Sequence, residues 1–167
     1  IDSDQWETIS PDELNWDSIG IGNLYDFLEL NNTRAFIVLK DGKIVLENYW
    51  GNNILNTAPF DRNSNWYWAS AGKTLTALMV GIAQEDGLLS IEDSSAIYLG
   101  NGWTSLTTEQ EGLIKIKHQL TMTTGLDYQV VNLNCTDPDC LSYKNTPGTN
   151  WFYHNATYSL LKDVIEN

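Results

Sequence analysis

One stretch narrows the fold of this chain more than any other. Leu75, Leu78, Met79 and Ile82 fall at i, i+3, i+4 and i+7, the spacing of an α-helix with a strong apolar stripe. Gly87 follows as a plausible left-handed C-cap. Directly ahead of the stripe stands Ser70-Ala71-Gly72-Lys73, so any chemistry these side chains perform sits at a helix start. Upstream, Ala35-Phe36-Ile37-Val38-Leu39 and Ile44-Val45-Leu46 flank the turn signal Asp41-Gly42. This predicts a β-hairpin with strands near 34–40 and 43–49.

The remaining elements are shorter. Residues 1–20 read as an irregular, acidic lead-in in which Pro11, Asp12 and Glu13 open a helical turn. Leu24, Phe27, Leu28 and Leu30 indicate a short amphipathic helix, and residues 51–66 are polar and turn-like. A further helix is expected over Ile114 to Thr121, ending at Thr124-Gly125. Residues 126–150 read as loop, and Asn155 is expected to cap a final helix with Leu160, Leu161, Val164 and Ile165 inward. No stop signal precedes Asn167, so the native protein is expected to continue beyond it.

Composition excludes several classes of function. The formal net charge is −13, with 9 Lys and Arg against 22 Asp and Glu. Cations this few and scattered do not neutralise phosphates, which argues against a nucleic-acid partner or an anionic membrane surface. No stretch has the apolar length of a membrane span. Cys135 and Cys140 lack the spacing of a CxxC redox or zinc motif. They fit a small disulfide loop bent by Pro138, which implies an oxidising compartment; the alternative is two free thiols in a cytosolic protein. His118 and His154 read as structural, and neither a metal nor another cofactor is expected.

Serine becomes a competent nucleophile when a base takes its proton. Lysine serves as that base when burial or a nearby positive potential, such as a helix N-terminus, favours its neutral amine. In Ser70-Ala71-Gly72-Lys73 the i, i+3 spacing puts both side chains on one turn, and small Ala71 and Gly72 leave space for a substrate. Trp66, Tyr67 and Trp68 stand just before and could wall a pocket. Ser-x-x-Lys is permissive: about one chance match is expected at this length. Ser159-Leu160-Leu161-Lys162 supplies it, inside a helix whose Leu pair must face the core. Tyr-x-Asn also occurs twice, as Tyr143-Lys144-Asn145 and Tyr153-His154-Asn155. The second follows Pro147-Gly148 and directly precedes a helix. A phenol there, near a cationic lysine, would have its pKa drawn down and could pass protons. The alternative is a core Tyr beside an N-cap Asn.

Taken together, these segments resemble the penicillin-recognising, β-lactamase-like serine hydrolases. Trp68-Ala69-Ser70-Ala71-Gly72-Lys73-Thr74 with Gly87-Leu88-Leu89 looks like the family's nucleophile segment. His118-Gln119-Leu120-Thr121-Met122-Thr123-Thr124-Gly125-Leu126 resembles its H-x-L-T-x-T-S-G-L segment. Pro147-Gly148-Thr149, Phe152-Tyr153-His154-Asn155 and Tyr158-Ser159-Leu160-Leu161 resemble its P-G-x-x-x-x-Y-S-N segment. The implied fold class is α/β of the α+β type, β-lactamase/transpeptidase-like. The chain would hold the N-terminal hairpin of the sheet and most of the helical region, without the C-terminal strands. Residues 1–32 would be a lead-in with a short helix, and residues 33–167 a partial hydrolase domain that continues further. The family's third motif, Lys-Thr-Gly or His-x-Gly, is absent, so either a second chain carries the remainder or the chain is a fragment.

The resemblance implies Ser70 as nucleophile, Lys73 as general base and Tyr153 as proton shuttle. It implies Asn155 and Gln129 as substrate contacts, and the Ser70 N–H as half of an oxyanion hole. The expected activity is hydrolysis of an ester or amide through an acyl-enzyme, by an esterase, a D-amino-acid peptidase or amidase, or a β-lactamase. The expected partner is a small-molecule ester, amide or peptide, and the expected location is secreted or periplasmic. The competing classes are a penicillin-binding or sensor-like domain that acylates without turnover, and a non-catalytic scaffold.

Overall fold

The computed structural model describes residues 6–167; the first five residues of the acidic lead-in lie outside the described residues. The chain divides into two compact units, one ending at Tyr67 and a second over Trp68–Asn167.

The first unit holds helix α1 (Ser18–Leu30) and the antiparallel hairpin β1 (Ala35–Lys40) and β2 (Lys43–Tyr49). A short 3-10 turn, Pro11–Leu14, precedes them. Helix α1 begins inside the stretch expected to be irregular. Asp17 caps it, its carboxylate accepting from Ile19 N at 3.0 Å and Gly20 N at 3.1 Å. Of the apolar set read on this helix, Leu24 and Leu28 are half-buried, while Phe27 and Leu30 are exposed. The hairpin turns at Asp41 and Gly42, both with positive φ (52° and 79°), as a tight right-twisting turn requires. The register then skips Val45, pairing Val38 with Leu46 and Leu39 with Ile44. This bulge breaks the in–out alternation, and Ile44, Val45 and Leu46 are all buried. Backbone bonds from Ile9 N to Ile44 O and from Ile44 N to Glu7 O tie the lead-in to β2.

The second unit is helical. It comprises α2 (Lys73–Glu85), α3 (Ala96–Leu99), α4 (Thr108–Glu111), α5 (Ile116–Leu120), α6 (Asn155–Ser159) and α7 (Leu161–Glu166). Gly87 terminates α2 as expected, with φ +73° and the paired bonds Gly87 N to Gln84 O and Leu88 N to Ala83 O. The face that α2 buries differs from its longest apolar stripe. Val80 and Ala83 are buried against Tyr158, Leu161 and Val164, while Leu75, Leu78, Met79 and Ile82 each remain about half exposed. Periodicity identifies an apolar face but not the neighbour that covers it.

Further expectations are corrected. The helix predicted over 114–121 is the shorter α5, because Met122 adopts the left-handed conformation (φ 57°) and closes it. Gly125 serves a different purpose: at φ +77° a Cβ would lie 2.1 Å from the Asn145 carbonyl oxygen, so only glycine lets these strands of chain meet. Asn155 is the first residue of α6 rather than its cap; His154 holds the cap position. The predicted final helix breaks at Leu160 into α6 and α7.

Two apolar clusters form the core of this unit. One joins Val80, Ala83, Leu89, Ile116, Met122, Tyr158, Leu161 and Val164. The other joins Trp103, Ile114, Leu126, Leu141 and Ala156. Helix α6 contributes Tyr158 to the first and Ala156 to the second, so it is gripped from two sides. Cys135 and Cys140 form a disulfide in the loop before it, and Ala156 N donates to Leu133 O at 2.9 Å.

Candidate active site

Ser70 lies in a 3-10 turn, Ala69–Gly72, that runs directly into α2 at Lys73. The preceding Ala69 has φ 45°, a left-handed backbone that costs an L-residue about 1–2 kcal/mol. Such outliers persist where surrounding structure holds them. The turn leaves Ser70 exposed and Lys73 half-buried beneath it. Lys73 Nζ donates to Ser70 Oγ at 3.4 Å, a long contact of the kind that tightens on substrate binding.

A second segment meets this turn from far along the chain. The Pro147-Gly148 turn docks through Gly148 N to Thr123 O at 2.7 Å, and Phe152 N donates to Met122 O at 3.0 Å. These bonds deliver Tyr153 and Asn155 to Lys73. Asn155 Oδ1 accepts from Lys73 Nζ at 2.9 Å. The same ammonium lies 5.1 Å from the centroid of the Tyr153 ring and 5.5 Å from that of Tyr158, within cation–π range of both. Tyr158 also donates its hydroxyl to the Lys73 carbonyl at 2.8 Å.

The two phenols at this lysine are pushed in opposite directions. Hydrogen bonding with Ser70, then with Lys73, holds Tyr153 below the usual tyrosine value. Burial raises Tyr158, with the charge of Tyr153 adding to it. Neighbouring groups whose environments separate their pKa values are a mark of acid–base sites. Tyr153 is the more accessible of the two, at 39 % exposure against 6 %.

The arrangement thus brings together Ser70, Lys73, Tyr153 and Asn155. Gln129 is occupied elsewhere: its side-chain oxygen accepts from Lys144 Nζ at 2.9 Å, and Lys144 also pairs with Asp127 at 2.7 Å and covers the Tyr128 ring. His154 is buried, with Nε2 3.2 Å from the Asp127 carbonyl oxygen. His118 Nδ1 accepts from Lys115 N at 3.1 Å, a structural bond.

Sequence reasoning placed Tyr158 in a family segment but gave it no role at the site, and it missed a buried relay behind it. Ser95 Oγ donates to Gln119 Oε1 at 2.7 Å, and Gln119 Nε2 donates to Thr157 O at 2.8 Å, all within the interior. Tyr158 had a local signal, since it lies one turn after Asn155 on the same helix face. The relay joins three separate segments and leaves none.

Residues 33–167 match the model of the Beta-lactamase family, and the chain belongs to that family. Two solved structures share its fold. One is described as a 6-aminohexanoate-dimer hydrolase from Bacillus anthracis, with a TM-score of 0.66 and 17% identity, over 86% of this chain and 42% of that one. The other is FmtA from Staphylococcus aureus, with a TM-score of 0.65 and 18% identity, over 98% of this chain and 45% of that one. The chain spans less than half the length of either. Comparison with curated proteins gives no significant match. The resemblance to penicillin-recognising serine hydrolases is therefore borne out for family and for fold. No helix among the described residues is long and apolar enough to cross a membrane.

Proposed function

We propose that this chain carries the nucleophile and its base in a serine hydrolase that cleaves an ester or amide through an acyl-enzyme. Ser70 Oγ attacks the substrate carbonyl carbon while its proton passes to the Lys73 amine. The tetrahedral adduct is held in part by the Ser70 backbone N–H. Its collapse expels the leaving group, which takes a proton relayed through Tyr153, and leaves an ester on Ser70. Water then attacks that ester, giving the acid and restoring the serine. Asn155 holds the lysine head group in place. The substrate is a small ester, amide or peptide, met in a secreted or periplasmic setting consistent with the Cys135–Cys140 disulfide.

The observation that carries this reading is the Lys73 amino group, which joins Ser70 Oγ to Asn155 Oδ1, a residue 82 positions away, under the Tyr153 ring. The test is mass spectrometry after a fluorophosphonate probe. One adduct is expected on the wild-type chain, lost in Ser70→Ala and retained in Ser159→Ala. An adduct that survives Ser70→Ala, or none on the wild type, overturns the reading. A panel of p-nitrophenyl esters, a chromogenic cephalosporin and D-Ala-D-Ala peptides then sorts esterase, β-lactamase and peptidase.

A further inference from the structure

The Lys73 side chain is held at both ends by one helical turn. Asn155 and Tyr158 stand i and i+3 on α6 and so share a face. Asn155 Oδ1 takes a hydrogen bond from the amine at 2.9 Å, while the Tyr158 hydroxyl donates to the lysine's own carbonyl at 2.8 Å. The Tyr158 ring lies 5.5 Å from Nζ and that of Tyr153 5.1 Å. The amine therefore sits among one amide oxygen and two aromatic rings.

Helix α6 is itself fixed. Ala156 and Tyr158 anchor it in two separate apolar clusters. The carbonyl of Thr157, between them, accepts from Gln119 Nε2, whose other end is held by Ser95. Ser95, Gln119 and Thr157 are fully buried, and a satisfied network in such surroundings is rigid. A lysine free to swing would reach Ser70 only part of the time; a lysine tied at backbone and head group is kept within reach of it.

We infer that Tyr158 is a positioning residue for the Lys73 base: its hydroxyl fixes the lysine backbone and its ring confines the amine within reach of Ser70. This rests on the hydrolase reading above. It acts through Lys73, since Tyr158 is buried and its hydroxyl is spent on the Lys73 carbonyl. Two variants separate its parts, because Tyr158→Phe removes the hydroxyl tether and keeps the ring, whereas Tyr158→Leu removes both.

The experiment is the rate of Ser70 modification by a fluorophosphonate, measured against probe concentration to give a maximal rate and a half-saturating concentration. The maximal rate is expected to fall about tenfold in Tyr158→Phe, the worth of one hydrogen bond, and about a hundredfold in Tyr158→Leu, the effect of a displaced catalytic group. The half-saturating concentration should stay unchanged in both. A wild-type maximal rate in Tyr158→Leu overturns the inference, as does a loss that appears only in half-saturation alongside a lowered Tm. A measurement that needs no variant of Tyr158 guards against misfolding: the Lys73 Cε–H NMR resonance, assigned by its loss in Lys73→Arg, should be shifted upfield by the two ring faces. An unshifted resonance overturns the inference. Failure of the wild type to react sinks the hydrolase reading instead, and the NMR result then reports on the lysine cage alone.

Discussion

Ser70 and Ser159 each stand three residues before a lysine, and the molecule treats them in opposite ways. Ser70 is exposed, and its lysine is turned toward Asn155 and two aromatic rings. Ser159 donates back to the Asn155 carbonyl at 2.9 Å, an ordinary bond within a helix. Its lysine, Lys162, is 69% exposed and faces Asp163 and Glu166 at 3.6 and 3.7 Å. The helix breaks at Leu160 between them. Spacing alone makes neighbours; a site requires further groups brought to the same amine from a distant segment.

That difference is broken or sharpened first at the lysines. Lys73→Met is expected to slow Ser70 modification by a fluorophosphonate by about 10²–10⁴-fold, the usual contribution of a general base. Lys162→Met should leave the rate unchanged, since it loses only a surface contact to two carboxylates. A comparable loss at Lys162, or none at Lys73, would erase the distinction between the two copies.

The two Tyr-x-Asn segments allow the same comparison. Tyr153→Phe keeps the ring over Lys73 and removes the phenol whose pKa Ser70 and Lys73 draw down. Turnover of a p-nitrophenyl ester should fall about a hundredfold. Tyr143 instead pairs its backbone with Leu126 in an isolated bridge, so Tyr143→Phe should change turnover less than twofold. Steady-state kcat, read beside KM, distinguishes the pair.

These contrasts also mark what can be read from residues alone. The hairpin was legible because Asp41-Gly42 and its flanking strands interact locally, and both strands fall within a residue of the expected bounds. The Ser70–Lys73 contact is local in the same way. The approach of Asn155 to Lys73 depends on Gly148 and Phe152 docking onto Thr123 and Met122, backbone bonds that no side-chain pattern records. Gln129 shows the converse: family resemblance implies a substrate contact, while the nearby Lys144 ammonium engages its oxygen. The stripe on α2 announced the helix but misled about its buried face, because Leu161 and Val164, which cover Val80 and Ala83, lie some eighty residues on.

The copy at 143–145 has a structural task that can be tested by itself. Lys144 N and Asn145 N both donate to the Gly125 carbonyl, at 3.0 and 2.8 Å. Gly125→Ala would force a methyl to within 2.1 Å of Asn145 O at positive φ, and a loss of about 3 kcal/mol is expected, in the range of severe backbone substitutions. Gly87→Ala meets open space at a similar φ and should cost only about 1 kcal/mol, the left-handed penalty alone. Urea unfolding midpoints compare the two. Equal losses would mean that close approach to segment 143–145 contributes nothing.

The middle residues of the two copies set the smallest test. Lys144 pairs at the surface, whereas His154 is buried, its Nδ1 without a hydrogen-bond partner among the described residues. Burial pushes His154 below its ordinary value of 6.5, and the carbonyl and charge of Asp127 only partly oppose this. Between the lowered folded value and 6.5, the unfolded chain therefore binds more protons than the folded one, so stability rises with pH through that window. The contribution is complete above about pH 6.5 and is lost as pH falls through the folded value. His118 is lowered in the same direction, also by burial first, so the wild-type slope combines both rings. From pH 7 to pH 5 the urea midpoint should fall. His154→Gln, whose amide can still donate to the Asp127 carbonyl, should flatten that slope by no more than about 1.4 kcal/mol per unit of pKa shift. Lys144→Gln should leave the slope between pH 7 and pH 5 as it is: Lys144 draws the Asp127 carboxyl down, and the ordinary value of 3.8 to which its loss would return that group already lies below the window. A slope unaltered by His154→Gln would show that the ring is neutralised or solvated as readily folded as unfolded, and would remove the contrast between the buried and the surface copy.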